Sequence, residues 1–344
     1  MEQVSPVESG QRTTWSKGWA ISKNIVQQQG ALIVLVLLFI FASFRYEYFF
    51  SAYNLNTFLS YNTIFALLAL GETFVIMTGG IDISIGSLSA LCAVVATRFS
   101  PNGLLVSLLA AVVVGALVGM FNGVMITWLR IPPFIATLAM LIGARGLALI
   151  VSGGATISAD GNTDFPWIYS GSLFGIPLPI YILVAAFIVG SVVLNYTRFG
   201  RHVLSIGGNE EASRLMGIPV ARVTLTVYII SGALAGLAGL LLAAQTYAGN
   251  PNEALGWELS AIAAVVVGGT LLTGGKGTVF GSLVGALLLG LIFNVLNFEN
   301  GYGLISLSSY WETVIRGAFL FIVVILQNRL AARKKLQQVN SSAP

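Results

Sequence analysis

The stretch LLVSLLAAVVVGALVGMFNGVMITW, residues 104–128, carries no charged side chain, and its reading decides the class of fold. Wound as a helix rising 1.5 Å per residue, it is long enough to cross the roughly 30 Å hydrocarbon core of a bilayer. Working outward, comparable apolar runs fall at Ala31–Phe44, Leu55–Met77, Ile83–Phe99, Pro133–Val151, Leu178–Tyr196, Val223–Tyr247, Leu259–Leu272, Val279–Phe298 and Trp311–Gln327. With Leu104–Trp128 they make about ten spans. An all-α polytopic membrane protein is therefore expected, with both termini on one side and some spans short and broken by glycine.

Composition says the same. Of 344 residues 56% are hydrophobic and only 9% charged, and the mean hydropathy is +0.87. A soluble domain needs roughly a quarter of its residues charged, so lipid must cover much of this surface. The 39 glycines suit membrane helices, where they let backbones approach closely. The formal charge of +4 comes from basic residues scattered among the apolar runs, not gathered on one face, which argues against nucleic acid. With a single cysteine, Cys92, and a single histidine, His202, no disulfide and no metal site is expected.

Charge asymmetry orients the chain. Residues 1–29 are polar, contain Arg12, Lys17 and Lys23, and are followed by no small-residue cleavage site, so they read as a cytoplasmic tail and not a signal peptide. Alternating spans place Arg130, the cluster Arg198, Arg201, Arg214 and Arg222, and the cluster Arg329, Arg333, Lys334 and Lys335 on the same side as that tail. The opposite loops carry Asp160, Asp164, Glu253 and Glu299, with Arg45 and Arg98. The positive-inside rule then puts both termini in the cytoplasm. The expected organisation is a tail (1–29), a transmembrane domain (30–328) with an extracytoplasmic loop (152–177) and a cytoplasmic helix (206–219), and a second tail (329–344).

Two stretches repeat each other: Thr78-Gly79-Gly80 followed after five residues by Gly86-Ser87-Leu88, and Thr273-Gly274-Gly275 followed after five by Gly281-Ser282-Leu283. Short, glycine-broken spans in matching places of two halves point to a transport path. They read equally as tight inter-helix turns, where glycine adopts the needed conformations cheaply. Asp82, an acid inside the first of them, favours function.

The most polar internal segment is Gly207-Gly208-Asn209-Glu210-Glu211-Ala212-Ser213-Arg214-Leu215-Met216-Gly217-Ile218-Pro219. Asn209 is a favoured N-cap, Glu210 and Glu211 meet the positive end of the helix dipole, and Gly217 with Pro219 end the helix. Ala212, Leu215 and Met216 form an apolar stripe on a helix too short to stand by itself. The stripe lies either on the protein's own surface or on a cytoplasmic partner.

This segment, GGNEEASRLMGI, resembles the cytoplasmic coupling loop of ABC-transporter permeases of the ribose/galactose type. GETFVIMTGGIDISIGSL (71–88), IPPFIATLAMLIGARGLALIVSGG (131–154) and GWELSAIAAVVVGGTLLTGGKGTVFGSLVGALLLG (256–290) also look like that family, in its order and spacing, so the likeness covers roughly residues 30–330. The resemblance implies one membrane subunit of a sugar importer in the bacterial inner membrane. Its partners would be a cytoplasmic ATP-binding subunit, a periplasmic sugar-binding protein and a second permease subunit, identical or homologous. Gly208, Asn209, Glu210, Ala212, Leu215, Met216 and Gly217 would couple to the ATPase. The chain has no G-x-x-x-x-G-K-[ST] loop, so ATP and Mg would sit on the partner, with no cofactor and no catalytic residue here. The chain departs from the family at Ser260, where an aspartate is frequent, and at Glu72, where an uncharged residue is common. Both departures bear on substrate choice.

Ionisable groups inside spans are site candidates because each costs several kcal/mol unless partnered. Arg145, Arg316 and Glu258 fall in the outer third, where pairing among themselves or with carbonyls is expected; Glu72 and Asp82 fall toward the cytoplasmic side. A neutral sugar needs hydrogen-bonding groups and an aromatic face. Asn122 and Asn294, preceded by Phe121 and Phe293 in matching pairs, supply both, or serve instead as hydrogen-bonding glue between helices. The competing readings are a branched-chain amino-acid permease of similar build, a proton-coupled sugar carrier using Glu72 and Asp82, and a membrane enzyme, against which no nucleophile–base pair or metal-ligand set is found in the spans.

Overall fold

The computed structural model describes residues 14–302, with side chains from Gly30 onward, and beyond them residues 311, 314, 317, 318, 321 and 325. Most of the expected last span Trp311–Gln327, including Arg316, and the tail 329–344 lie outside the described residues, as do residues 1–13. The chain forms helices α1 (Thr14–Arg45), α2 (Ala52–Met77), α3 (Ile85–Phe99), α4 (Leu104–Thr127), α5 (Pro133–Ser152), α6 (Trp167–Ser170), α7 (Leu178–Tyr196), α8 (Arg198–Gly208), α9 (Glu210–Leu215), α10 (Val220–Thr246), α11 (Trp257–Val267) and α12 (Val279–Tyr302). A 3-10 turn at Ser100–Asn102 and four two-residue strands, β1 (Ile157–Ser158), β2 (Ser172–Leu173), β3 (Ile176–Pro177) and β4 (Ala248–Gly249), complete the list among the described residues.

Six of these helices, α2, α4, α5, α7, α10 and α12, are long and apolar enough to cross a membrane. The fold is thus an all-α polytopic membrane protein. The expected spans at Ile83–Phe99 and Leu259–Leu272 are helical over only part of their length. α3 has 15 residues and α11 has 11, about 22 and 16 Å of helix, each short of a bilayer. The remainder is irregular chain at 78–84 and 268–278. Irregular backbone at membrane depth survives only where protein surrounds it, and here Asp82, Ser84 and Thr270 are completely buried.

α2 and α10 are the central helices, buried over 83% and 72% of their spans, against 22% for α4 and α5. Their neighbours reach them through glycine. Gly115, Gly119 and Gly123 recur every four residues on α4; Gly115 and Gly119 face Gly232 of α10, Gly115 also faces Gly236, and Gly123 lies against Leu225. A methyl group on Gly119 would collide with the Tyr228 carbonyl oxygen, and one on Gly232 with that of Gly115, so the two backbones touch directly.

Helix order gives the bundle two ends. α8 and α9 share one end with the 78–84 and 268–278 segments. At the other, β1 pairs antiparallel with β4, Ile157 opposite Gly249, which ties the loop after α5 to the connection between α10 and α11. Arg145 of α5 donates there to the carbonyls of Pro251 and Glu253 (the latter at 2.8 Å), one of the pairings expected for it. A small separate core of Ala42, Tyr46, Phe49 and Leu291 pins α1 to α12, reinforced by the Tyr46 hydroxyl donating to Glu299 at 2.5 Å.

The glycine seam generates a direct expectation. Gly119→Leu should push α4 off α10 and cost at least the 1–3 kcal/mol typical of overpacking. Gly146→Leu on α5, whose added side chain would start in open space, should leave the melting temperature of the purified protein within a degree or two. Thermal unfolding of both variants, followed by size-exclusion fluorescence, checks the contrast.

Candidate functional site

Three features draw together the polar residues of this apolar chain. The first is a cavity of about 290 Å³ between α2, α11 and α12, in the half of the bundle away from α8 and α9. Phe58, Phe65 and Phe293 give it aromatic walls, and Tyr61, Asn62, Ser260, Asn294 and Asn297 give it hydrogen-bonding groups. Among the described residues, no Asp, Glu, Lys, Arg or His lines it. The aromatic wall is braced: the rings of Phe65 and Trp257 lie 4.3 Å apart, and Tyr61 packs against Phe65 at 5.4 Å.

The amides are held in place. Asn62 Nδ2 donates to the Phe58 carbonyl at 2.7 Å, and Asn294 Nδ2 donates to Asn54 Oδ1 at 3.1 Å, with Asn54 anchored on the Phe49 carbonyl at 2.8 Å. Ser260 Oγ is buried with no hydrogen-bond partner among the described residues. A small-molecule site with fixed amides, an open hydroxyl and aromatic faces can bind a neutral, hydroxyl-rich ligand, and its volume sits at the small end of the roughly 300–1,000 Å³ typical of such sites.

The second feature lies where α2, α4 and α10 meet the irregular segment before α3. Glu72 Oε1 accepts the Asp82 backbone N–H at 3.2 Å. Asp82 Oδ1 accepts both the N–H (3.0 Å) and the hydroxyl (2.6 Å) of Ser84, and Asp82 Oδ2 accepts the Ser231 hydroxyl at 3.4 Å. The Ser84 hydroxyl has spent its proton on Asp82, so its oxygen accepts from Asn122 Nδ2 at 3.0 Å, which leaves Asn122 Oδ1 facing away. All of these side chains are buried. Glu72 Oε2, Asn122 Oδ1 and the Tyr228 hydroxyl have no partner among the described residues. The described ion pairs are Arg45–Glu299 and Arg214–Glu210, and neither involves this cluster.

The third feature is α9. Asn209 caps it by accepting the Ala212 N–H at 2.9 Å, and Gly217 ends it at φ +78°. Its buried residue is Ser213, whose hydroxyl bonds that of Ser205 on α8 at 2.9 Å. The apolar stripe points the other way: Leu215 is 84% exposed, Met216 68%, and Ala212 is exposed as well. The stripe therefore does not rest on the described part of the chain's own bundle.

The residues singled out in the sequence thus separate. Phe293 and Asn294 line the cavity, whereas Glu72, Asp82 and Asn122 share the buried cluster and Phe121 is half-exposed on the outer face of α4. The two Phe-Asn pairs occupy unlike surroundings. Gly208 belongs to the end of α8, and the other proposed coupling residues to α9, its cap and its terminus. Sequence reasoning passed over Asn62 and Asn297 in the cavity and Ser231 and Tyr228 in the cluster. An amide inside an apolar run, as at Asn62 and Asn297, was the available signal.

Comparison with known proteins agrees over nearly the whole chain. Residues 54–324 match the family described as branched-chain amino acid transport system / permease component. The ribose import permease protein RbsC of Escherichia coli (strain K12) is 37% identical over 323 residues, 92% of this chain and 97% of that protein. RbsC of Bacillus subtilis (strain 168) is 37% identical over 314 residues, 90% of this chain and 95% of its own. The L-arabinose ABC transporter permease protein AraH of Azospirillum brasilense is 32% identical over 318 residues, 92% of each. No solved structure matches the chain.

The buried cluster makes Glu72 a hydrogen-bond acceptor for Asp82. Glu72→Gln keeps an oxygen at that position, so the melting temperature should stay within a few degrees of the parent and uptake within about tenfold, the scale of one imperfect hydrogen bond at ~0.5–1.5 kcal/mol. Glu72→Ala removes the acceptor and opens a void, and should be clearly less stable. Equal damage from both variants would show that the carboxylate charge, not the acceptor, is what the site requires.

Proposed function

The chain belongs to the branched-chain amino acid transport system permease family, and from that premise we propose that it forms the membrane path of an ATP-driven importer for a pentose or hexose. It is a transport subunit of the bacterial inner membrane, not an enzyme. The family's description names amino acids, while the similar proteins named above carry ribose and L-arabinose. The lining of the cavity, uncharged among the described residues, carries the choice between them. An amino acid brings an ammonium and a carboxylate, and burying either without a counter-charge is costly. A sugar brings hydroxyls and C–H faces, which Asn62, Ser260, Asn294 and Asn297 and the rings of Phe58, Phe65 and Phe293 suit. The same geometry disfavours the proton-coupled carrier, since neither Glu72 nor Asp82 lines the cavity.

The remaining parts follow from α9 and from charge. Its exposed Leu215 and Met216 dock a cytoplasmic ATP-binding subunit, which holds ATP and Mg, and a periplasmic binding protein delivers the sugar from the other side. A second permease subunit, identical or homologous, completes the path. About ten spans, both termini cytoplasmic and the 152–177 loop outside, fit the side on which the Arg198–Arg222 cluster falls.

Two measurements test this reading. In proteoliposomes holding the complete importer, uptake of labelled pentose or hexose should require ATP and resist competition by leucine. Phe293→Ala and Asn297→Ala should each lower that uptake at least fivefold with the complex still assembled. Leucine uptake by the unaltered complex would overturn the sugar assignment. Orientation is checked by cysteine labelling, since the native Cys92 is buried and silent. A cysteine at Gly161 should react with an impermeant maleimide from outside, and one at Met216 only after the membrane is opened. Ser213, though central in the same segment, is buried and unsuitable.

A further inference from the structure

The repeated Thr-Gly-Gly stretches are not merely alike in sequence; they meet, and they meet at the end of α8. The Gly275 N–H donates to the Met77 carbonyl at 3.0 Å, bonding the second stretch to the last residue of α2. Gly207 lies against that same bond: a methyl group there would collide with the Met77 oxygen and the Gly275 nitrogen. A methyl on Gly274 would stand 2.8 Å from Gly79 N and 3.0 Å from Gly207 Cα, and one on Gly275 would stand 2.8 Å from Gly208 Cα. Gly79, Gly274 and Gly275 hold φ of +85°, +82° and +74°, values that favour glycine. Three backbones are thus in contact with no side chain between them.

Each neighbour of this junction leads somewhere. Upstream of Gly79, α2 runs to the cavity wall. Downstream of Gly275, Thr278 caps the start of α12, accepting the Gly281 N–H at 2.9 Å, and α12 forms another wall of the same cavity. Beyond Gly208 comes Asn209 and then α9, which the Ser205–Ser213 hydroxyl bond fastens to α8. Side chains in van der Waals contact can absorb a displacement by changing rotamer. A backbone pressed on a backbone has no such slack, so a shift of α8 must move what it touches.

We propose that Gly207 is a positioning residue: it transmits movement of the α8–α9 unit to the paired glycine turns, and through them to α2 and α12 together, so that the docking helix acts on two cavity walls at one point. The proposal rests on the reading of α9 as the docking site for the ATP-binding subunit. The experiment uses the complete importer in proteoliposomes, with sugar uptake and ATP hydrolysis measured on the same preparation. Gly207→Ala should assemble with its partners and lower the sugar transported per ATP at least tenfold. If that variant does not fold, the double variant Ser205→Ala/Ser213→Ala decides instead; it loosens α9 from α8 and should lower the same ratio severalfold. An unchanged ratio in the folded Gly207 variant, or in the double variant when it has to decide, overturns the proposal. Leu215→Asp separates the two claims. Loss of the ATP-binding subunit from that variant upholds docking, so a normal ratio at Gly207 would then count against transmission alone. Retention of the subunit by Leu215→Asp overturns docking and the proposal with it.

Discussion

The hydrogen bond from the Gly275 N–H to the Met77 carbonyl shows the constraint under which this whole structure is built. In lipid no water stands ready to satisfy a broken helix, so every interruption of a span must be closed by protein. α3 and α11 are too short to cross the membrane, and the chain beside each is irregular. Each irregular segment is acceptable because the other, and the end of α8, supplies its surroundings. The glycine content follows from this: where one backbone must serve as another's environment, a Cβ would occupy the space that the contact needs.

The same demand for close approach shapes the centre of the bundle. α10 lies with its backbone on that of α4 through Gly115, Gly119, Gly232 and Gly236, and α2 is buried along most of its length. In lipid the hydrophobic effect gives helices no reason to associate, so packing density and polar contacts must do so. The Glu72–Asp82–Ser84–Asn122–Ser231 network is one such contact, joining four parts of the chain at a depth where each unpaired group is costly. It lies apart from the cavity, whose described walls carry no charged residue.

How much of this was legible depends on the range of the interaction. The long spans were readable because lipid acts on each residue in the same way, so an apolar run such as 104–128 reports its own environment. α9 was readable because capping is local: Asn209 and Gly217 act within a turn of themselves. The exposure of Leu215 and Met216 was not, because an apolar stripe has the same spacing whether it faces its own bundle or a partner. Nor could sequence separate the two Phe-Asn pairs, which are identical as text yet face the cavity in one case and the buried cluster and the outer face of α4 in the other.

Sequence alone therefore determined that the chain is an all-α membrane protein, that it resembles sugar importer permeases, and that a capped, apolar-striped helix stands between its spans. Tertiary structure alone decided that Asn62, Ser260, Phe293 and Asn297 line one cavity, that Glu72 meets Asp82 outside it, and that two distant Thr-Gly-Gly stretches close on the end of α8. The physical reason is the reach of the forces involved. Hydropathy and capping act on neighbours along the chain, whereas a cavity or a backbone junction exists only between distant segments, such as Asn54 and Asn294, 240 residues apart, which folding must first bring together.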